Sequence, residues 1–171
     1  MEIDFHTMIP SPVIVTSVEA WRFDHHYLVR TQCKDGTTGV VVVNNRLDYL
    51  WPIMERFVVP YVLGKDAREL DALVDGIYTY HSAYKLAGIA LWNPVAYVEL
   101  SLLDLMGKTI DRAVGAMFGP VVRERIPVYL SSLRRDTTAE EEVAWLGQRL
   151  EETGADAVKL KIGGRMSHNA D

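Results

Sequence analysis

Lys159 and Lys161, separated by one residue, are the side chains of this sequence best suited to chemistry. They lie in Ala157-Val158-Lys159-Leu160-Lys161-Ile162-Gly163-Gly164, which alternates apolar and basic residues with a period of two. In a strand, Val158, Leu160 and Ile162 face one side and both lysines the other. Taken alone, the spacing favours an edge strand whose lysine face meets water. If that face looks into a cavity instead, the pair reads as a base and its electrostatic partner. A second ammonium disfavours the charged form of its neighbour, which helps a lysine accept a proton near neutral pH.

Other candidates carry less. His25 and His26 adjoin in a turn, ordinarily an exposed place, and are candidates for lining a substrate site. Arg165 follows Gly163-Gly164 and is placed to pair with a carboxylate; His168 lies just beyond. His81 has no partner at metal-ligand spacing. Glu140-Glu141-Glu142 suits a helix start, where negative charge is favoured, rather than a metal. Cys33 is the one cysteine, which excludes an intrachain disulfide and fits a reducing, cytoplasmic setting. A formal net charge of -5 without a lysine or arginine run argues against nucleic acid as a partner. The N-terminus lacks the basic and apolar runs of a signal peptide, and the apolar stretches read as too short to span a bilayer.

The elements that must position these residues follow from periodicity. With 171 residues, 49% hydrophobic and 24% charged, the chain can bury a core as one domain, or one domain and part of another. Val13 to Phe23, Tyr27 to Cys33 and Thr38 to Val43 read as strands. Asp24-His25-His26 and Lys34-Asp35-Gly36-Thr37 supply the turns, giving an antiparallel meander. Helical spacing follows from Arg46 to Val58, with Pro52 early in it or breaking it. A helix from about Ala67 to Tyr80 takes Asp66 as its N-cap. Asn93-Pro94 signals another start, with an end near Gly107-Lys108, and Asp111 to Phe118 reads as a short helix. Ile126 to Leu130 is a short strand. Thr137-Thr138-Ala139-Glu140 reads as a capping box, opening a helix that turns Val143, Leu146 and Leu150 inward and closes at Gly154. Strand, helix and lysine strand form a βαβ unit, which implies a parallel pair.

Three segments in this order resemble the mandelate racemase and muconate-lactonizing branch of the enolase superfamily. Val95 to Lys108, ending in Leu103-Asp104-Leu105-Met106-Gly107-Lys108, is similar to the family's helix ending in Ala-Leu-Trp-Asp-Leu-x-Gly-Lys. Met117-Phe118-Gly119-Pro120 through Arg125-Ile126-Pro127-Val128-Tyr129 is similar to its loop and first barrel strand, with Gly119-Pro120 where Gly-Gly is usual. Lys159-Leu160-Lys161 matches its Lys-x-Lys motif on the second barrel strand.

The resemblance implies an α+β capping domain over residues 1–122, a three-stranded meander plus helices. It is followed over 123–171 by the first β/α/β of a modified TIM-type (β/α) barrel, so the polypeptide is expected to be truncated. The implied chemistry is abstraction of the proton α to a carboxylate in a small acid, with racemase, sugar-acid dehydratase or cycloisomerase outcomes. Lys161 is then the base and Lys159 its electrostatic partner. Magnesium is the implied cofactor, with ligands beyond residue 171 and none within this chain. The implied assembly is a homo-oligomer that engages neither membrane nor nucleic acid. The 171-residue chain alone is expected to be inactive, and the rival reading is a fragment acting only as a folding or oligomerisation module.

Overall fold

The computed structural model describes residues 3–161. The chain divides into a unit ending at Pro120 and a second beginning at Val121. The first opens with a short helix α1 (Phe5–Met8), which Asp4 caps by accepting from the amides of His6 and Thr7. Strands β1 (Val15–Phe23), β2 (His26–Cys33) and β3 (Thr38–Val43) then form an antiparallel sheet in sequence order. The meander is the one predicted from alternation and turn chemistry. Asp24 takes a left-handed φ of 49° in the first turn and Gly36 one of 93° in the second. Asp35 fastens that second turn by accepting from the Thr37 amide at 2.8 Å.

Helices cover one face of the sheet. α2 (Leu47–Ile53) runs past Pro52 and widens into a π turn over Met54–Val58 before α3 (Val59–Val62). The widening falls where Pro60 offers no N–H and its ring would crowd the carbonyl four residues back. α4 spans Leu70–Thr79, starting later than predicted. Asp66 does not cap it, because other partners take its carboxylate. Its carboxylate accepts from the Val13 amide at 3.1 Å and is gripped by Arg68, whose Nη2 lies 2.6 Å away. Arg68 also donates to the carbonyls of Ile9 and Pro10, so the pair clasps the start of the chain to this loop. Burial alone would raise the Asp66 carboxyl, but the bonds from Arg68 and the Val13 amide outweigh it and hold the group below the ordinary carboxylate range.

A 3₁₀ stretch, Tyr80–Leu86, leads to α5 (Gly88–Thr109). The Asn93-Pro94 start signal misplaces this helix: it begins at Gly88 and carries Pro94 inside. Leu91, Pro94, Val95 and Val98 are all buried, so packing of the apolar face overrides the local cost of proline. The earlier start makes α5 long and apolar enough, by length and composition, to cross a bilayer, contrary to the sequence estimate. Here it is the core helix under the sheet, with 56% of its most apolar window buried. α6 (Val114–Met117) is shorter than the predicted 111–118 because Asp111 adopts a left-handed φ of 52°.

The sheet meets α5 at very close range. A Cβ on Gly39 would overlap the Ser101 carbonyl oxygen and the Leu105 amide nitrogen, so only glycine fits in β3 at that point. Thr31 on β2 and Ser101 on α5, both fully buried, share a hydrogen bond of 2.6 Å. Asp104 accepts from the Val40 amide on the outer edge of β3 at 2.7 Å and pairs with Lys108 at 2.7 Å. A Cβ on Gly107 would press on the Arg112 carbonyl oxygen at 2.6 Å. Asp-Leu-x-Gly-Lys is thus a docking surface for β3 and the turn after α5.

In the second unit β4 (Leu130–Ser131), α7 (Ala139–Thr153) and β5 (Val158–Lys159) form the predicted βαβ unit. The two strands pair in parallel, Leu130 opposite Val158 and Ser131 opposite Lys159. β4 shares only Leu130 with the predicted Ile126–Leu130 strand, and β5 is shorter than periodicity suggested.

Two outcomes follow for stability. Gly39→Val should cost about 3 kcal/mol or more in urea unfolding, since backbone atoms cannot yield as side chains do. Asp66 has its folded-state pKa below its unfolded value. Its contribution is therefore complete above about pH 4 and is lost as pH falls through the depressed value. Thermal melts of the wild type and Asp66→Asn should differ above that pH and converge as pH falls through the depressed value.

Candidate active site

The lysine segment reaches its place through the βαβ unit. Thr138 caps α7 with its hydroxyl oxygen, accepting from the Glu141 amide at 3.2 Å, while the Glu141 carboxylate accepts from the Thr138 amide at 2.9 Å. This is the predicted capping box moved one residue along, Thr138 with Glu141 rather than Thr137 with Glu140. Thr137 instead donates to Glu142 at 3.1 Å. Gly154 closes the helix in the left-handed conformation, φ 66°. Leu146 is buried as predicted, Leu150 is half-buried, and Val143 is exposed.

β5 places Lys159 in register with Ser131. The Lys159 carbonyl accepts from the Ser132 amide at 3.0 Å. Pairing stops there, so Leu160 and Lys161 lie just past the strand and the strict alternation does not carry through Lys161. Both lysines are exposed, as are Val158 and Leu160. Exposure is therefore shared by both faces of the strand.

At the carboxyl ends of β4 and β5 a groove of 440 Å³ opens against the start of α7. Leu160 and Lys161 border it from the chain just past β5, Arg134 and Arg135 from the chain after β4, and Thr138 and Glu142 from the cap and first turn of α7. Arg134 lies 3.7 Å from Glu142, and its guanidinium sits 5.3 Å from the Trp145 ring centroid. Its amide donates to the hydroxyl of Ser132, a buried residue. One oxygen of Glu142 is buried without a hydrogen-bond partner. The groove thus gathers one lysine, two arginines and one shielded carboxylate, a setting able to hold an organic anion beside an amine. A larger opening of 610 Å³ lies at the other end of the strands, walled by Ile126, Val128 and Ala157 among others. Its lining is mostly apolar, with Tyr129 and Asp156 as its ionisable residues, whereas the narrower groove gathers the charged side chains.

The remaining predicted residues fall elsewhere. His25 and His26 sit exposed at the β1–β2 turn in the first unit. His25 lies 3.5 Å from Asp24, and His26 stacks on Phe23 at 5.9 Å. Arg165 and His168 lie outside the described residues. Sequence reading missed Arg134 and Glu142 as groove residues; their signal was position, one just after a short strand and one in the first turn of the next helix. It also missed Glu99 on α5, half-buried with its carboxyl raised, by burial first and the Asp71 charge second. Among the described residues no group of three or more His, Cys, Asp or Glu is arranged to hold a metal ion. The described residues do not fit magnesium by themselves.

The chain is similar to known proteins. No family model matches the chain. An L-rhamnonate dehydratase from Saccharopolyspora erythraea is 28% identical over 123 residues, 72% of this chain and 30% of that protein. The crystal structure of a putative racemase from Roseobacter denitrificans superposes with a TM-score of 0.77 at 29% identity, covering 89% of this chain and 41% of that one. A mandelate racemase/muconate lactonizing protein from Paracoccus denitrificans, complexed with magnesium, gives 0.73 at 26%, covering 91% and 44%. The chain is similar to the mandelate racemase and muconate-lactonizing branch of the enolase superfamily. Its fold is that of the N-terminal part of these enzymes, and it spans less than half the length of each relative described. Its relatives include sugar-acid dehydratases and a protein described as a putative racemase, and cycloisomerase structures at 22% identity share the fold.

Two substitutions in α7 should move stability in opposite directions. Thr138→Ala removes the cap and should cost about 1 kcal/mol. Gly147→Ala meets nothing within 4 Å of the new Cβ and should gain about 0.5–1 kcal/mol. Amide hydrogen exchange across Ala139–Thr153 reads both.

Proposed function

We propose that this chain supplies the first catalytic strands of a polypeptide that removes the proton α to a carboxylate in a small organic acid. The observation carrying this reading is the groove at the carboxyl ends of two parallel strands, with Lys161 on its wall and Arg134 and Arg135 opposite. Barrel enzymes place their chemistry at that end of the strands. The family's Lys-x-Lys motif falls on Lys159-Leu160-Lys161, which supports giving Lys161 the role of base and Lys159 that of its electrostatic partner.

In the step proposed, the neutral Nζ of Lys161 takes the α proton. The electron pair of the broken C–H bond becomes a double bond between the α carbon and the carboxylate carbon, and the π pair of the C=O bond moves onto its oxygen, leaving an enediolate. The new charge must be met by groups already in place, since an α-carboxylate proton is very weakly acidic. Arg134 and Arg135 are placed to orient an anionic substrate. Magnesium, if bound in the whole enzyme, takes its ligands from outside residues 1–171, and within the chain no step is assigned to it. Dehydration of a sugar acid is the preferred overall reaction, supported by the dehydratase relatives; the substrate itself stays at the level of a small hydroxylated carboxylate. A cytoplasmic location is supported by the single thiol.

The test needs a polypeptide that carries these residues together with the remaining strands. In deuterated water, loss of the α-proton signal of candidate sugar acids should slow by about 100-fold or more in Lys161→Ala. Unchanged exchange in that variant, measured from both stereoisomers, would remove Lys161 from the mechanism.

A further inference from the structure

The two arginines of the groove are not equivalent. Arg135 is exposed, whereas Arg134 is half-buried and restrained at three points. Its amide donates to the Ser132 hydroxyl at 3.2 Å, and Ser132 is itself buried, with its amide on the Lys159 carbonyl. Its guanidinium carbon lies 5.3 Å from the Trp145 ring centroid. Its Nε lies 3.7 Å from Oε2 of Glu142. Glu142 and Trp145 stand three residues apart on α7, so one face of the helix presents both to the same side chain. Glu142 is fixed in turn. Its Oε2 also accepts from the Thr137 hydroxyl at 3.1 Å, and the first turn of a helix favours an anion. Its other oxygen is shielded and has no partner among the described residues, so the carboxylate's one ion pair there is with Arg134.

We propose that Arg134 is the arm that takes a carboxylate of the substrate, and that Glu142 is its positioning residue. This rests on the reading of the groove as the site for a small acid. The approach of Glu142 is through Nε, which leaves the Nη1 and Nη2 edge for a carboxylate gripped by two parallel bonds. An unrestrained arginine gives up rotamer freedom when it binds; one held between a carboxylate and an indole ring has already lost it. Charge alone predicts the opposite role. A negative Glu142 repels a nearby anion, so its removal would tighten binding. Positioning requires that its removal weaken binding, and the two accounts differ in sign.

The test uses the longer polypeptide in a Lys161→Ala background, with D-gluconate as the probe and its dissociation constant read by calorimetry. Glu142→Gln should weaken binding about 10-fold. Arg134→Ala should weaken it about 30-fold, and the double variant should match Arg134→Ala, since nothing is left to position. Trp145→Leu removes the other restraint without touching a charge, and should weaken binding only where Arg134 is present. Glu140→Gln, an exposed acid in the same turn of α7, should bind as well as the parent or better. Unchanged or tighter binding in Glu142→Gln would overturn the inference. So would a parent that takes up no gluconate, or losses that add in the double variant. Binding is read here without chemistry, so a failure of Lys161 as the base, seen by deuterium exchange, stays separate from a failure of Glu142.

Discussion

The first unit depends on how closely β3 lies on α5. At Gly39 the strand backbone sits where any side chain would strike the helix backbone, and this proximity sets the rest. It lets the buried hydroxyl of Thr31 reach that of Ser101, which also donates to the Val98 carbonyl at 2.7 Å, so that Thr31 is not left as an unpaired polar group. It also brings Asp104 within reach of the Val40 amide. The core of Val29, Leu102, Leu105 and Met106 closes around that contact, each at 0–1% exposure. The described residues of the second unit show no equivalent anchor. Among its described residues Leu146 and Ser132 are buried, and large apolar side chains such as Val122 and Ile126 face outward.

That contrast bears on function. Parallel strands are normally covered on both faces, and a single βαβ cannot do this for itself. The groove beside Lys161 is correspondingly open. Its basic walls come from two strand ends and its acidic rim from a helix start, three places that a longer barrel would hold in fixed relation.

Legibility in the sequence followed the range of the interactions involved. The meander could be read because alternation and the Asp35-Gly36 turn are local. The βαβ unit could be read because a capping box and a closing glycine bracket its helix. Asp66 was misread because its partners, Arg68 and the amide of Val13, include one from 53 positions away. Pro94 was misread as a start because burial of Leu91, Val95 and Val98 decides where α5 begins. Lys159 and Lys161 were visible as a spacing, yet Arg134 and Glu142 join the groove only through the parallel register, which no local pattern encodes.

The hydrogen bonds along the two rims of the meander have a further consequence. On one rim Asp104 already occupies the free amide of Val40; on the other, the Val15 amide and carbonyl are engaged by Lys65 and Gly64. A strand so occupied offers little template for a foreign chain to add to, so runaway strand-by-strand polymerisation is blunted at both margins. A valine-rich segment like Val40–Val43 would otherwise be an aggregation hazard. Here the backbone that makes it sticky is held by a carboxylate from the helix beneath.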